Sequence, residues 1–167
     1  LVYPVANPKF NFDFCKGYYP RVSENKVKGR VARLLVTPLL RALEKTIGFN
    51  EFISFVDSFR YPLAGEFSFR RRVLKDIRIP YDWGLEIGVL SEMFRNYAGK
   101  RLCQVDIADN YDHKHQDIFF DDNSKGLSKM SIDIIKVIIR KLASQGEPFS
   151  MSIFRSLKAT YYREALD

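Results

Sequence analysis

The sequence is short of the residues that build the simplest recognisable sites. Its 167 residues hold two cysteines, two histidines and one tryptophan. Cys15 and Cys103 each lie in an apolar segment. That is too little for a disulfide scaffold or a zinc knuckle, and they read as buried free thiols in a reducing cytoplasm. No apolar run is long enough to cross a membrane. No basic stretch followed by an apolar one opens the chain, so no signal peptide is expected. The first residue is Leu1, and Leu1-Val2-Tyr3-Pro4 reads like the interior of a folded protein. The chain is therefore expected to begin part-way through a longer product. There is no Gly-x-x-x-x-Gly-Lys, Gly-x-Gly-x-x-Gly or Gly-x-Ser-x-Gly. P-loop hydrolysis, dinucleotide binding and α/β-hydrolase chemistry are left without support. Repeats and low-complexity tracts are also missing.

What is present suits a globular protein of ordinary make-up, 46% hydrophobic and 28% charged. The net charge of +7 favours anionic partners without choosing among them. Residues 12–18 read as a buried strand and 20–28 as a polar loop. From Arg30, the residues Val31, Leu34, Leu35, Leu39, Ala42 and Leu43 recur at helical spacing, with a bend expected at Pro38. Residues 51–59 fit a strand or a short helix equally well. Pro62 to Gly65 is a turn, and a short helix carrying Arg70-Arg71-Arg72 is expected to stop near Pro80. Leu85 to Tyr97 reads as a helix, 101–107 as a strand, and 108–123 as a polar loop with both histidines. Two helices close the chain. One has the stripe Leu127, Met130, Ile134, Val137, Ile138 and Leu142; the other has Phe149, Ile153, Phe154, Leu157 and Tyr161. Mixed strands and helices in this order indicate the α/β class.

Several constellations can carry chemistry. In Asp112-His113-Lys114-His115 two imidazoles share one side of an extended segment beside a carboxylate, which suits a divalent metal; a solvated polar loop is the competing reading. Gly29-Arg30 opens the first long helix, where free backbone N–H groups and a guanidinium attract anions; a plain turn before an arginine-bearing helix explains it as well. Glu86 lies between two glycines in Gly84-Leu85-Glu86-Ile87-Gly88, able to accept from sugar hydroxyls or to cap its helix. Arg70-Arg71-Arg72 is the nucleic-acid candidate, though it suits a solvated face as well and no nucleic-acid module surrounds it.

The order of these signals resembles glucosyl-3-phosphoglycerate synthase, a retaining glycosyltransferase of the GT-A fold. The matching stretches are Phe14-Cys15-Lys16-Gly17-Tyr18-Tyr19, Gly29-Arg30-Val31 with Thr37-Pro38-Leu39-Leu40, Tyr61-Pro62-Leu63-Ala64-Gly65-Glu66-Phe67, Gly84-Leu85-Glu86-Ile87-Gly88-Val89-Leu90, and Gln104-Val105 running on to His113. The resemblance implies the acceptor-side part of a GT-A fold over residues 1–125 and a C-terminal helical extension over 126–167. It assigns the phosphoglycerate acceptor to Gly29 and Arg30, donor-sugar hydroxyls to Glu86, and the sugar's surroundings to Leu63. It also implies that His113 completes an Mg²⁺ or Mn²⁺ site and that His115 lies on the acceptor side. Departures cluster there: Ala32 replaces a threonine, His115 an asparagine, Tyr111 an arginine, and the turn reads Leu63-Ala64-Gly65 where the family has two glycines. A related small acid such as glycerate is therefore an alternative acceptor. The family's metal-binding Asp-x-Asp occurs nowhere in the chain.

The resemblance implies transfer of glucose from a nucleotide-diphosphate sugar to a small acidic acceptor with retention, once this chain is joined to its nucleotide-binding half. Alone it is expected to be inactive. A cytoplasmic homodimer is implied, with no membrane or nucleic-acid partner. A non-catalytic binding or regulatory domain of the same fold is the second reading, and a basic nucleic-acid-binding domain the third.

Overall fold

A computed structural model describes residues 1–23, 26–97, 99–109 and 125–166. The elements in chain order are α1 (Tyr3–Ala6), β1 (Phe14–Tyr18), β2 (Val22–Ser23), β3 (Lys26–Val27), a π-helical segment (Ala32–Val36) leading into α2 (Thr37–Ile47), α3 (Glu51–Asp57), β4 (Phe67–Phe69), α4 (Val73–Asp76), α5 (Leu85–Asn96), a 3₁₀ turn (Gly99–Arg101), β5 (Leu102–Asp106), α6 (Gly126–Ser144) and α7 (Met151–Leu166). The class is mixed α/β, as the alternation of patterns indicates. The described residues fall into two compact units, one formed by 1–28 with 59–109 and the other by 29–58 with 125–166.

The first unit is built on a sheet ordered β4-β1-β5. β1 pairs antiparallel with β4 and parallel with β5. As the central strand it has buried residues from Phe14 to Gly17. Cys15 lies opposite Cys103 in the register, and both are free thiols. Burial pushes both thiols up, Cys103 to about 12, so neither supplies a thiolate near neutral pH. The segment read as a loop over 20–28 contains the β2–β3 hairpin. β4 escaped the sequence reading because Phe67-Ser68-Phe69 is too short to show a period.

One end of the sheet is tied by a single carboxylate. Asp13, 2% exposed, directly precedes β1. Its Oδ1 accepts from Arg72 Nη2 at 2.6 Å and Nε at 3.1 Å, and its Oδ2 from Arg101 Nε at 2.9 Å. Arg70 adds an ion pair at 3.9 Å and donates to the Phe12 carbonyl at 2.9 Å. Backbone bonds run through the same point, from Asp13 N–H to Arg101 O and from Arg70 N–H to Asp13 O. The arginine run thus precedes the single turn of α4 instead of lying on a helix. Two of its guanidiniums face Asp13, while Arg71 is exposed. A buried carboxylate needs such partners, because an unpaired one is strongly disfavoured away from water.

In the second unit, residues 51–59 resolve as helix over Glu51–Asp57. Asn50 makes the difference: its Oδ1 accepts from Phe52 N–H at 3.0 Å and Ile53 N–H at 3.2 Å, an N-cap worth about 1 kcal/mol. Phe52, Ile53 and Val56 form its buried face. α2 buries Leu39, Leu40, Ala42 and Leu43; α6 buries Ile134, Ile138 and Leu142; α7 buries Leu157. Each such leucine, isoleucine, valine or phenylalanine side chain contributes about 1.5–3 kcal/mol. Phe154, expected in the α7 stripe, is 54% exposed. The irregularity expected at Pro38 appears just before it, as a π-turn in which Thr37 N–H bonds the Ala32 carbonyl. This five-residue step changes the phase of the helix upstream, and Leu34 of the expected stripe is left 50% exposed. Pro38 has no N–H to offer the carbonyl of Leu34 four residues earlier; the Tyr161 hydroxyl on α7 donates to it at 2.7 Å.

Replacing Asp13 by Asn leaves three guanidiniums without their shared charge. The expected loss is on the order of 3 kcal/mol in urea denaturation. A loss below about 1 kcal/mol, the range of an exposed ion pair, would show that the cluster is only surface decoration.

Candidate functional site

Lys16 is the unusual residue of β1. Its side chain is 1% exposed, and its ammonium donates to the Ala64 carbonyl at 2.5 Å and lies 5.6 Å from the centroid of the Phe67 ring. Ala64 belongs to the turn that the sequence places at Pro62–Gly65. That turn is pinned from several sides. Gly17 N–H donates to Glu66 O at 2.7 Å, Ala64 N–H to Tyr61 O at 3.1 Å, and Arg21 Nη1 to the Tyr61 hydroxyl at 3.0 Å. The Tyr19 hydroxyl donates to Glu66 Oε2 at 2.7 Å. Tyr19 is almost wholly buried, edge-on to the Tyr61 ring at 5.6 Å, and burial with the Glu66 bond raises its hydroxyl pKa far beyond the working range. Leu63 is buried within the turn.

Glu86 stands on the first turn of α5, beside this assembly. The N-cap is Gly84, with no side-chain cap bond, so Glu86 is not a capping residue in the strict sense. Its position near the positive end of the helix favours a carboxylate. Gly88, one turn on, is required by packing. A Cβ there would lie 2.3 Å from Pro80 Cγ, so only glycine lets α5 rest against Pro80. The Glu86 Oε1 lies 3.7 Å from where a Cβ of Gly65 would be, so the carboxylate is at the turn. Burial raises its pKa, and the charge of Glu66 adds to this; its own backbone N–H and Lys16 act the other way. No other described residue hydrogen-bonds to it. A half-buried carboxylate in this state is equipped to accept from hydroxyl groups of a ligand.

For Lys16, burial is the largest effect and lowers the pKa from 10.5 to about 8, against the opposing attraction of Glu86 and then Glu66. The amine is still mostly charged at neutral pH.

Leu63 and Glu86 therefore fall in the first unit. Gly29 and Arg30 fall in the second. Gly29 has φ of +81°, a backbone state that glycine adopts without strain, and its carbonyl accepts from Arg33 N–H at 3.1 Å as the helical backbone begins. Arg30 lines a pocket of about 240 Å³ together with Leu34, Leu127, Ser128, Ser131 and Tyr161. A mostly apolar lining with one arginine and two serines suits a small anion with a carbon skeleton. His113 and His115 lie outside the described residues, as does Tyr111. Among the described residues, no group of three or more His, Cys, Asp or Glu side chains is placed to hold a metal.

Sequence reasoning gave no role to Lys16, Tyr19 or Glu66, although all three lie in stretches that carry the resemblance. A signal was available: a lysine in the otherwise apolar run Phe14–Tyr18 has to bury its charge or break the strand.

No family model matches the chain. It is 48% identical over 165 residues to glucosyl-3-phosphoglycerate synthase of Persephonella marina, covering 99% of this chain and 40% of that protein. It is 39% identical over 170 residues to glucosyl-3-phosphoglycerate synthase of Methanococcoides burtonii, covering 100% of this chain and 41% of that protein. Among solved structures it resembles mannosyl-3-phosphoglycerate synthase of Rubrobacter xylanophilus, with a TM-score of 0.62, 25% identity, and coverage of 89% of this chain and 43% of that one. It also resembles glucosyl-3-phosphoglycerate synthase of Mycobacterium tuberculosis in complex with phosphoglyceric acid, with a TM-score of 0.60, 25% identity, and coverage of 90% and 44%. The chain thus spans about two fifths of the length of the curated relatives it matches. The family resemblance and the GT-A fold read from the sequence agree with these relatives.

The Lys16 shift has a measurable consequence. Between about pH 8 and pH 10.5 the folded protein has released the Lys16 proton and the unfolded chain has not. The unfolded state binds more protons there, so stability rises with pH through this window, by on the order of 3 kcal/mol. Denaturant midpoints of the parent and of Lys16→Met, measured from pH 7 to 11, are expected to differ by this rise, which the variant lacks. Parallel curves would show that Lys16 is not desolvated.

Proposed function

We propose, on the premise that this chain aligns along its length with the C-terminal part of glucosyl-3-phosphoglycerate synthases, that it provides the acceptor side and part of the donor-sugar side of a glycosyltransferase. The reaction moves glucose from a nucleotide-diphosphate sugar to 3-phosphoglycerate or a related small acid, with retention of configuration. The observation that carries the reading is Glu86. It is a half-buried carboxylate beside the Leu63 turn, unbonded to other described side chains, in the segment that the resemblance assigns to the donor sugar.

In this reading Glu86 accepts from the sugar hydroxyls, and the pinned turn lines the sugar next to it. Arg30 and the backbone at Gly29 hold the negative group of the acceptor, which places its hydroxyl for attack; His115 assists on that side. The bond from the anomeric carbon to the leaving phosphate oxygen breaks as the bond to the acceptor oxygen forms, and the proton of the acceptor hydroxyl passes to the departing phosphate oxygen. No protein nucleophile is assigned. A divalent cation, Mg²⁺ or Mn²⁺, belongs to the same proposal, with His113 as one ligand. When bound, such an ion stabilises a leaving diphosphate. Among the described residues no ligand set is gathered for it.

Two outcomes are expected in the full-length protein that carries this chain. Arg30→Ala is expected to raise the acceptor KM about 10- to 100-fold, the worth of a charged hydrogen bond, and to leave the donor KM within about twofold. An unmoved acceptor KM would remove Arg30 from the site. In His113→Ala the Mn²⁺ concentration for half-maximal activity is expected to rise by about tenfold or more. Unchanged metal dependence would show that the ligand assignment is wrong.

A further inference from the structure

Lys16 has no task in the reaction as proposed, and stability does not account for it. Its side chain is 1% exposed. Taking an ammonium that far from water is unfavourable, and a methionine fills a similar space with no charge to desolvate. The surroundings explain what the charge does. The ammonium bonds the Ala64 carbonyl, the next residue in the turn is Gly65, and Glu86 Oε1 lies against Gly65. Glu66 follows Gly65, and its carboxylate is already engaged by the Tyr19 hydroxyl. The charged groups that act on Lys16 are Glu86 from α5 and Glu66 from the exit of the turn. Those that act on Glu86 are Lys16 and Glu66. One cation on the central strand thus serves both the turn and the carboxylate beside it.

We propose that Lys16 is a positioning residue of the donor-sugar site: its buried ammonium ties the 61–65 turn to β1 and draws the Glu86 carboxylate to that turn, so that Glu86 presents its oxygens to the sugar hydroxyls. The proposal rests on the reading of Glu86 as the sugar ligand. Lys16 touches neither substrate; it acts through Glu86 and the Ala64 carbonyl.

Two readouts test it, and the first needs no activity. Carbon-13 NMR of labelled glutamate side chains follows the Glu86 titration in the full chain, with the resonance assigned by its loss in Glu86→Gln. Without the nearby cation, the Glu86 midpoint in Lys16→Met is expected to rise by about one unit. A change below about 0.3 unit in a folded variant overturns the proposal. If Lys16→Met does not fold, Glu86→Gln reads the same coupling from the other side. The Lys16 amine, which titrates at about 8, is expected to fall further, and an unmoved amine overturns the proposal. The second readout uses the full-length protein. Lys16→Met is expected to lower kcat/KM for the donor about tenfold or more, to leave the acceptor KM within about twofold, and to move the acidic limb of the pH profile upward. It is also expected to unfold at the parent's temperature or above at pH 7, and Lys16→Arg is expected to recover part of the activity. Equal losses on both substrates with an unmoved pH profile identify a structural lysine and overturn the proposal. A parent without transferase activity would defeat the proposed reaction, and the NMR coupling would still decide whether Lys16 holds Glu86.

Discussion

Asp13 is the point on which the first unit depends. Its carboxylate is where the start of β1, the segment leaving β4 and the entry to β5 meet, because Arg72 and Arg101 each claim one of its oxygens. A three-stranded sheet has little hydrogen bonding with which to fix its own register, and a slip of one residue would turn every side chain to the opposite face. A charge that must find its partners when buried sets that register at one end. It also divides the arginine run, drawing Arg70 and Arg72 to the protein's own carboxylate and leaving Arg71 exposed.

With β1 held there, the rest of the strand brings Lys16 under the turn and Tyr19 against Glu66. The result is a cluster of one ammonium, two carboxylates and a phenol in which the hydrogen-bonded pairs are Lys16 with Ala64 and Tyr19 with Glu66, while Glu86 is held by its own backbone N–H, the Lys16 charge and packing. Burial dominates both Lys16 and Glu86, lowering one pKa and raising the other. Each is disfavoured as an ion, and each makes the other's charge less unfavourable. Such an arrangement gives up stability for a defined local charge, which is the ordinary signature of a site and not of a core.

The second unit solves a different problem. A helix with proline in its second position, continued upstream, has to accommodate a missing N–H. It does so with a π-turn and a hydroxyl borrowed from Tyr161. The same displacement turns Leu34 outward to line the pocket beside Arg30, between the π-turn and helices α6 and α7. The irregular backbone and the candidate anion pocket are therefore one feature.

The sequence by itself determined the class, the long helices and most of the turns, because apolar periodicity over four or more helical turns is insensitive to tertiary context. It also offered Glu86, Gly29 and Arg30 as candidates through short motifs in a particular order, and Leu63 through the family resemblance. Short elements were beyond it. β4 has three residues, and 51–59 became a helix through the Asn50 cap, a local choice that the apolar pattern does not encode. The roles of charged residues were also undecided, since a charge can be satisfied by water or by a partner distant in sequence. Only the tertiary structure joined Asp13 to Arg101 and Lys16 to Ala64. Those contacts span 88 and 48 residues, and no periodicity along the chain records them.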